Sequence, residues 1–147
     1  MEYAYQVKFE TDPDDNFFVT FPDVPEAITA GENRVEVLEN ANEALGLALR
    51  SYLMRDLPLP RHQQYKDLVE VMLDAWNALK FAVAESFNEA NIKKTELAHR
   101  LDKKETEARR ILDLNYPTKL QTLEQTLTVL GKKVVIKTKM LLDFFST

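Results

Sequence analysis

The stretch from Asn91 to Gly131 constrains the fold more than any other part of the sequence. Three short amphipathic segments follow one another there, separated by two tight, charged breaks. Ala98 is small enough to let a second helix pack closely against the first, and Asp102 falls where a turn is expected. Four apolar residues would form the core shared by the two helices: Leu97, Leu101, Ala108 and Ile111. This spacing predicts a helix-turn-helix.

The solvent-facing side of the second predicted helix is polar and mostly basic. Its residues are Lys103, Lys104, Glu105, Thr106, Arg109 and Arg110. Such a helix suits a groove lined by phosphates, where arginine can pair with guanine and glutamate can accept from cytosine. Because Glu105 and Glu107 also repel phosphates, we expect one monomer alone to bind DNA weakly. A solvated helical hairpin is the alternative interpretation.

Two further groups of residues lie at predicted helix starts, where backbone N–H groups and polar side chains bind phosphate. Lys94 and Thr95 begin the first helix of the motif. The second group surrounds the start of the next helix: Asn115, Tyr116, Thr118 and Lys119. We predict phosphate contacts from both groups.

Composition narrows the class of protein. The chain has 147 residues, of which 45% are hydrophobic and 29% charged, as in a globular protein of one domain or two small ones. It has no cysteine, which excludes disulfides, thiol catalysis and cysteine-bound zinc and fits a reducing cytoplasm. From the sequence we expect neither a signal peptide nor a membrane span. We therefore expect a cytoplasmic protein.

The net charge of −5 is unevenly distributed. Residues 1–91 contain 7 Lys/Arg and 17 Asp/Glu, a net of −10. Residues 92–140 contain 12 Lys/Arg and 6 Asp/Glu, a net of +6, and Asp143 completes the total. This split predicts two partners of opposite charge, a polyanion for the basic half and a cationic partner for the acidic half.

The N-terminal part predicts a small sheet covered by one helix. The alternating residues 3–9 and 17–21 suggest two strands joined by a turn, and residues 27–30 suggest a third. Asn33 would cap the following helix in a capping box with Glu36. The expected apolar stripe of that helix is Val35, Leu38, Ala41, Leu45, Leu49 and Tyr52.

A fourth strand is expected at residues 67–73, after an extended, proline-containing segment. Residues 1–73 therefore predict a β-β-β-α-β domain, and residues 74–147 an all-α helix-turn-helix domain, so the fold class is α+β. In the second domain, the last predicted helix has the stripe Leu120, Leu123, Leu127 and Leu130. Residues 132–137 suggest a short strand or extended arm, and with the apolar tail we expect them to take part in dimerisation.

The order of these features resembles the HicB family of antitoxins from type II toxin–antitoxin systems. The resemblance is carried by FVTFPDVPEAITAG at 18–31, ANEAL at 41–45, PLP at 58–60, PTKLQTLE at 117–124 and LGK at 130–132. It covers nearly the whole chain up to the apolar tail. One departure is Asp102, which stands where helix-turn-helix relatives usually place glycine, although aspartate tolerates the left-handed conformation better than most residues.

The resemblance implies that the first domain is a partly degenerate ribonuclease H-like domain that binds and masks a HicA-like, mRNA-cleaving toxin. It also implies a homodimer or higher oligomer whose paired helix-turn-helix units bind operator DNA and repress the operon. We expect the acidic loops and a neighbouring aromatic residue to face the basic toxin: Asp12, Asp14, Asp15, Phe21 and Asp23.

Two other functions fit parts of the sequence. A metal-dependent nuclease would need carboxylates converging on two ions, but three of the available acids crowd one turn and no strand centre carries one. We therefore predict no catalytic residue, no metal site and no cofactor; His62 and His99 are too far apart in sequence to suggest ligands. The remaining alternative is a stand-alone helix-turn-helix transcription regulator with a small-molecule-sensing N-terminal domain.

Overall fold

The computed structural model describes residues 1–140, which fall into two compact units. One unit contains Glu2–Asp74 and residues 138–140, and the other contains Met1 and Ala75–Lys137. The elements follow in the order β1 (Ala4–Thr11), β2 (Phe17–Thr20), β3 (Ile28–Gly31), α1 (Arg34–Met54), β4 (Val69–Met72), α2 (Ala75–Ala90), α3 (Lys94–Leu101), α4 (Glu105–Leu112) and α5 (Leu120–Val129). The predicted α+β class and the β-β-β-α-β order of the first unit are confirmed. Within residues 1–140, no helix is both long and apolar enough to span a membrane.

The strands form one antiparallel sheet in the order β3-β2-β1-β4. Tyr5 and Val7 of β1 are buried, as their alternation predicted. Gln6, on the opposite face, is also buried, because the segment before β4 covers it. Its side chain accepts from the Tyr65 N–H at 2.5 Å and donates to Gln64 at 3.0 Å. The proline-containing segment is thus fastened to the sheet.

Helix α1 begins as predicted at Asn33, whose side chain accepts from the Glu36 N–H at 2.9 Å. The capping box is only half formed, because the Glu36 carboxylate accepts from Glu32 N at 3.4 Å rather than from the cap residue. The predicted stripe was wrong at Val35, which is exposed; Val37 is buried instead. The helix meets the sheet about half a turn later than periodicity alone suggested.

Close contact between β3 and α1 depends on Gly31. A Cβ at this position would lie 2.7 Å from the backbone nitrogen of Val37, so no larger residue fits without movement of the backbone. The same helix reaches both edge strands through two asparagines. Asn40 donates to the Ala30 carbonyl of β3 at 2.9 Å, and Asn42 donates to the Met72 carbonyl of β4. These bonds occupy a carbonyl on each edge of the sheet, where free backbone groups invite pairing with other chains.

The second unit is helical, with two clusters of buried side chains. One cluster joins α2, α4 and α5 through Val83, Ile111, Leu123 and Leu127. The other joins α3 and α4 to the end of α5 through Leu97, Ala98, Ala108 and Leu130. Helix α5 ends as predicted at Gly131, which adopts φ of 83° while Lys132 N donates to Leu127 O at 2.8 Å.

In the helical unit one sequence prediction was wrong, and the structure excludes one of the two alternatives given for another segment. Leu120, the first residue of the predicted α5 stripe, is exposed, because it lies at the very start of the helix. Residues 132–137 form no strand, and the whole described segment 132–140 lacks regular secondary structure. The apolar tail that we expected in dimerisation lies at residues 141–147, outside the described part of the chain.

Candidate nucleic-acid and protein interfaces

Helices α3 and α4 form a tight hairpin with the turn that the sequence predicted. Asp102 adopts the left-handed conformation, with φ of 54° and ψ of 45°. The N–H groups of Asp102 and Lys103 donate back to the carbonyls of His99 and Ala98 at 3.1 and 3.0 Å, which closes α3 after two turns. Only residues 102–104 separate the two helices, so their buried faces meet directly.

Lysine occupies the N-cap position of three successive helices in this unit. Lys93, Lys104 and Lys119 precede α3, α4 and α5, and none of them makes a side-chain capping bond. A lysine side chain only donates hydrogen bonds, so it cannot accept from the first-turn N–H groups. At α5, whose first turn has no acidic residue, uncapped N–H groups and a nearby positive charge favour an anion, whereas the first turns of α3 and α4 contain glutamates that oppose one.

The outer face of α4 carries acidic and basic side chains that pair one helical turn apart. Glu105 Oε1 accepts from Arg109 Nη2 at 2.7 Å and from Nε at 3.2 Å. Lys103 Nζ lies 3.8 Å from Glu107 Oε2. Glu105 and Glu107 thus partly neutralise the bases of this face in the free protein.

Most of the residues predicted to bind DNA lie at the surface. The exposed ones are Lys94, Thr95, Lys103, Lys104, Thr106, Arg109, Arg110, Asn115, Tyr116 and Lys119. Glu105 is half-buried, and the Arg110 guanidinium lies 5.7 Å from the centre of the Tyr116 ring, which brings α4 next to the α4–α5 connection. The prediction was wrong for the Thr118 side chain, which is buried and accepts from Lys80.

Lys80 is the residue that sequence reasoning missed. Its side chain is buried inside the helical unit, and the residue is 1% exposed. Burial lowers the pKa of its ammonium from 10.5 to about 8, although the negative charge of Asp113 opposes this shift. The available signal was a lysine placed between Leu79 and Phe81 in an apolar helix, which simple periodicity treats as an exposed position.

The turn between β1 and β2 holds three of the predicted acidic contacts, Asp12, Asp14 and Asp15. Asp12 accepts from Asp14 N and Asn16 N at 2.9 Å each, and from the Asn16 side chain at 3.1 Å. Hydrogen bonds from Asn16 lower the pKa of the Asp12 carboxyl. Asp12 therefore maintains the turn, while Asp14 and Asp15 extend exposed from it.

Asp23 and Phe21 occupy the loop that follows β2. Asp23 accepts from Gln63 N at 2.8 Å and from the Tyr65 hydroxyl, and this hydrogen bond raises the pKa of Tyr65. Its carboxylate thus holds residues 63–65 against the sheet unit. Phe21 is 1% exposed, so its side chain belongs to the core and offers no surface to a partner, contrary to the prediction. Among residues 1–140, no group of three or more His, Cys, Asp or Glu is arranged to hold a metal ion.

Comparison with known proteins matches residues 4–82 to the family described as HicB_like antitoxin of bacterial toxin-antitoxin system. Antitoxin HicB 1 of Photorhabdus laumondii is 34% identical over 134 residues, which cover 90% of this chain and 84% of that protein. Antitoxin HicB of Escherichia coli K12 is 32% identical over 133 residues, covering 88% of this chain and 95% of that protein. Antitoxin HicB of Pseudomonas fluorescens is 26% identical, with 92% of each chain covered.

Proposed function

The chain belongs to the HicB-like family of antitoxins, and from this premise we propose that it neutralises a HicA-like, mRNA-cleaving toxin and represses its own operon by binding operator DNA. The family is regulatory rather than catalytic, and membership in it implies a toxin partner. The observation that carries the proposal is the similarity to antitoxins over 88–90% of the chain, which takes in both the sheet and the helices.

The sheet unit is the toxin-binding half. Residues 2–74 contain 6 Lys/Arg and 15 Asp/Glu, a net charge of −9, which complements a basic RNA-binding protein. Asp14 and Asp15, exposed at the end of the hairpin, are the acidic residues that approach the toxin. Neutralisation works by burying the RNA-binding surface of the toxin. The β1–β2–β3 meander and its covering helix support the ribonuclease H-like assignment of this unit.

The helical unit is the DNA-binding half, with α3 and α4 as its helix-turn-helix. Residues 75–137 contain 12 Lys/Arg and 8 Asp/Glu, a net charge of +4. The N-cap lysines of α3, α4 and α5 favour phosphate, and the outer face of α4 supplies Thr106 and Arg109 to the base edges. The Arg109–Glu105 pair must separate or turn together for Arg109 to reach a guanine.

The active form is a dimer or higher oligomer in the cytoplasm. Val135 and Ile136 are 84% and 85% exposed in the segment that follows α5, and two adjacent apolar side chains so exposed favour burial against another chain. Pairing two helical units offsets the weak binding of one, because each α4 carries its own repelling glutamates.

Co-expression tests the toxin half directly. The chain is purified together with the small basic protein encoded beside it, and growth is followed with and without the chain. A stable complex and restored growth are expected; the absence of both rejects the antitoxin function. For the DNA half, the full chain is titrated onto a duplex spanning the promoter upstream of its own reading frame. Binding no tighter than to a scrambled duplex rejects autorepression while leaving toxin neutralisation intact.

A further inference from the structure

Lys80 makes an unusually complete set of contacts for a buried charge. Its Nζ donates to the Ile111 carbonyl at 3.0 Å, the Asp113 carbonyl at 2.8 Å and the Thr118 hydroxyl at 2.8 Å. A buried ammonium is costly unless its donors are satisfied, and here each of its three N–H groups has an acceptor. The nitrogen also lies 5.8 Å from the centre of the Trp76 ring, one helical turn earlier.

Trp76 adds a fourth bond from α2 to the same part of the chain. Its indole Nε1 donates to the Thr118 carbonyl at 3.0 Å, so α2 holds both the backbone and the side chain of Thr118. The held residues bracket the connection from the last turn of α4 to the N-terminus of α5. That connection has no regular secondary structure of its own. Its geometry therefore depends on these four bonds, on the buried Leu114 side chain and on local turns.

The connection carries exposed groups suited to phosphate. Asn115 and Tyr116 lie within it, and Lys119 is the N-cap of α5. A positive charge beside the last carbonyls of α4 also complements the negative end of that helix. We propose that Lys80, assisted by Trp76, is a positioning residue of the DNA interface, which holds the α4–α5 connection so that Tyr116 and Lys119 meet the phosphate backbone. This inference rests on the proposed DNA-binding function.

We assign Lys80 the role of positioning the α4–α5 connection, rather than a role in general stability alone. An apolar residue of similar length would fill the same space with little loss of packing. It would, however, leave the Ile111 and Asp113 carbonyls and the Thr118 hydroxyl without their donor. With a pKa lowered to about 8, the lysine is mostly an ammonium at pH 7 and can donate to all three.

The test compares Lys80→Met, Thr118→Val and Trp76→Phe with a matched control, Thr126→Val. Thr126 is also buried, but its hydroxyl bonds only within its own helix, to Thr122 O at 2.7 Å. Each full-length variant is titrated onto the promoter duplex at several salt concentrations. Circular dichroism checks folding, and toxin binding serves as the second functional measurement.

We expect the three variants to bind the duplex about tenfold more weakly than wild type. The slope of log K against log salt should fall by about 1 for each phosphate that the variant no longer neutralises. The control should keep both the affinity and the slope, and all four should retain toxin binding.

A folded Lys80→Met or Thr118→Val protein with wild-type affinity and slope overturns the inference. If Lys80→Met fails to fold, the subtler Thr118→Val and Trp76→Phe variants decide. If wild-type protein binds the promoter duplex no more tightly than a scrambled one, the DNA-binding function itself is overturned, and this inference with it.

Discussion

The Glu105 carboxylate holds the Arg109 guanidinium through two of its nitrogens, at 2.7 and 3.2 Å, on the outer face of α4. An exposed pair of this kind is worth only a few tenths of a kcal/mol, so DNA can readily displace it. Its consequence is electrostatic: Arg109, which we propose reads a base edge, is partly neutralised in the free protein. We therefore predict that one copy binds DNA weakly and that paired copies bind it more strongly.

Replacing Arg109 with alanine should weaken binding to the promoter duplex by about fivefold to 150-fold, because a base-edge contact is worth about 1–3 kcal/mol. Toxin binding should be unchanged, since Arg109 lies in the helical unit. Glu105→Gln is the paired variant: it frees Arg109 and removes a repelling charge, so affinity for promoter and scrambled duplexes alike should rise. Equal loss of DNA binding and toxin binding in Arg109→Ala would contradict the assignment of DNA binding to the helical unit and toxin binding to the sheet unit.

Neutralising the exposed acids of the β1–β2 turn should slow association with the toxin. The double variant Asp14→Asn/Asp15→Asn removes two charges without touching Asp12, which maintains the turn. The association rate should fall by about threefold to tenfold and become less sensitive to salt. Glu39→Gln/Glu43→Gln, an equal charge change on the exposed side of α1, is the control. Stopped-flow mixing measures the association rates of both double variants. If the two variants associate equally slowly, the effect is due to net charge alone.

Polar substitution of the exposed apolar pair in the arm should weaken self-association. Val135→Ser/Ile136→Ser removes two side chains that are 84% and 85% exposed in the single chain. Sedimentation at micromolar concentration should shift toward the monomer, with a parallel loss of DNA affinity because pairing is lost. Val35→Ser, an exposed apolar position on α1, should leave the oligomer unchanged. An unaltered sedimentation profile for the double variant would place the interface elsewhere.

Adding one methyl group at Gly31 should destabilise the sheet unit by about 1–3 kcal/mol, since a Cβ there meets the backbone of Val37 rather than a movable side chain. Gly131→Ala provides a contrast. A Cβ at Gly131 would have no neighbouring atom within 4 Å, but the backbone there has a φ of 83°. The substitution should therefore destabilise the helical unit by about 1 kcal/mol through backbone conformation alone. Urea unfolding followed by circular dichroism and by Trp76 fluorescence separates the two effects.

The buried Lys80 predicts a definite pH dependence of stability. Its pKa is about 8 in the folded chain against an ordinary 10.5, so between these values the unfolded state binds more protons. Stability should therefore rise with pH through this window, by at most about 1.4 kcal/mol per pH unit. Between pH 8 and 9.5, the free energy of unfolding of wild type should rise by roughly 1–2 kcal/mol relative to that of Lys80→Met. Urea unfolding followed by Trp76 fluorescence measures this difference. A constant difference between the two proteins would contradict the lowered pKa.

Local patterns were enough to predict the elements of this chain. Period-two alternation indicated the strands, and the Asn33 cap, the Asp102 turn and Gly131 were each recognisable from their own neighbours. These features depend on backbone conformation and hydrogen bonds over a few residues, so neighbouring residues in the sequence are enough to predict them. The HicB-like family was identified in the same way, from the order of short motifs along the chain.

Only the tertiary structure decided which side chains of those elements are buried. Phe21 and Thr118 looked like surface contacts but are buried, and Lys80 looked like a surface charge but satisfies three acceptors inside the helical unit. The acceptors lie 31 to 38 residues away in sequence, so no local pattern marks them. Burial of a polar group is decided by partners that only folding brings together, because without them its desolvation would not be offset.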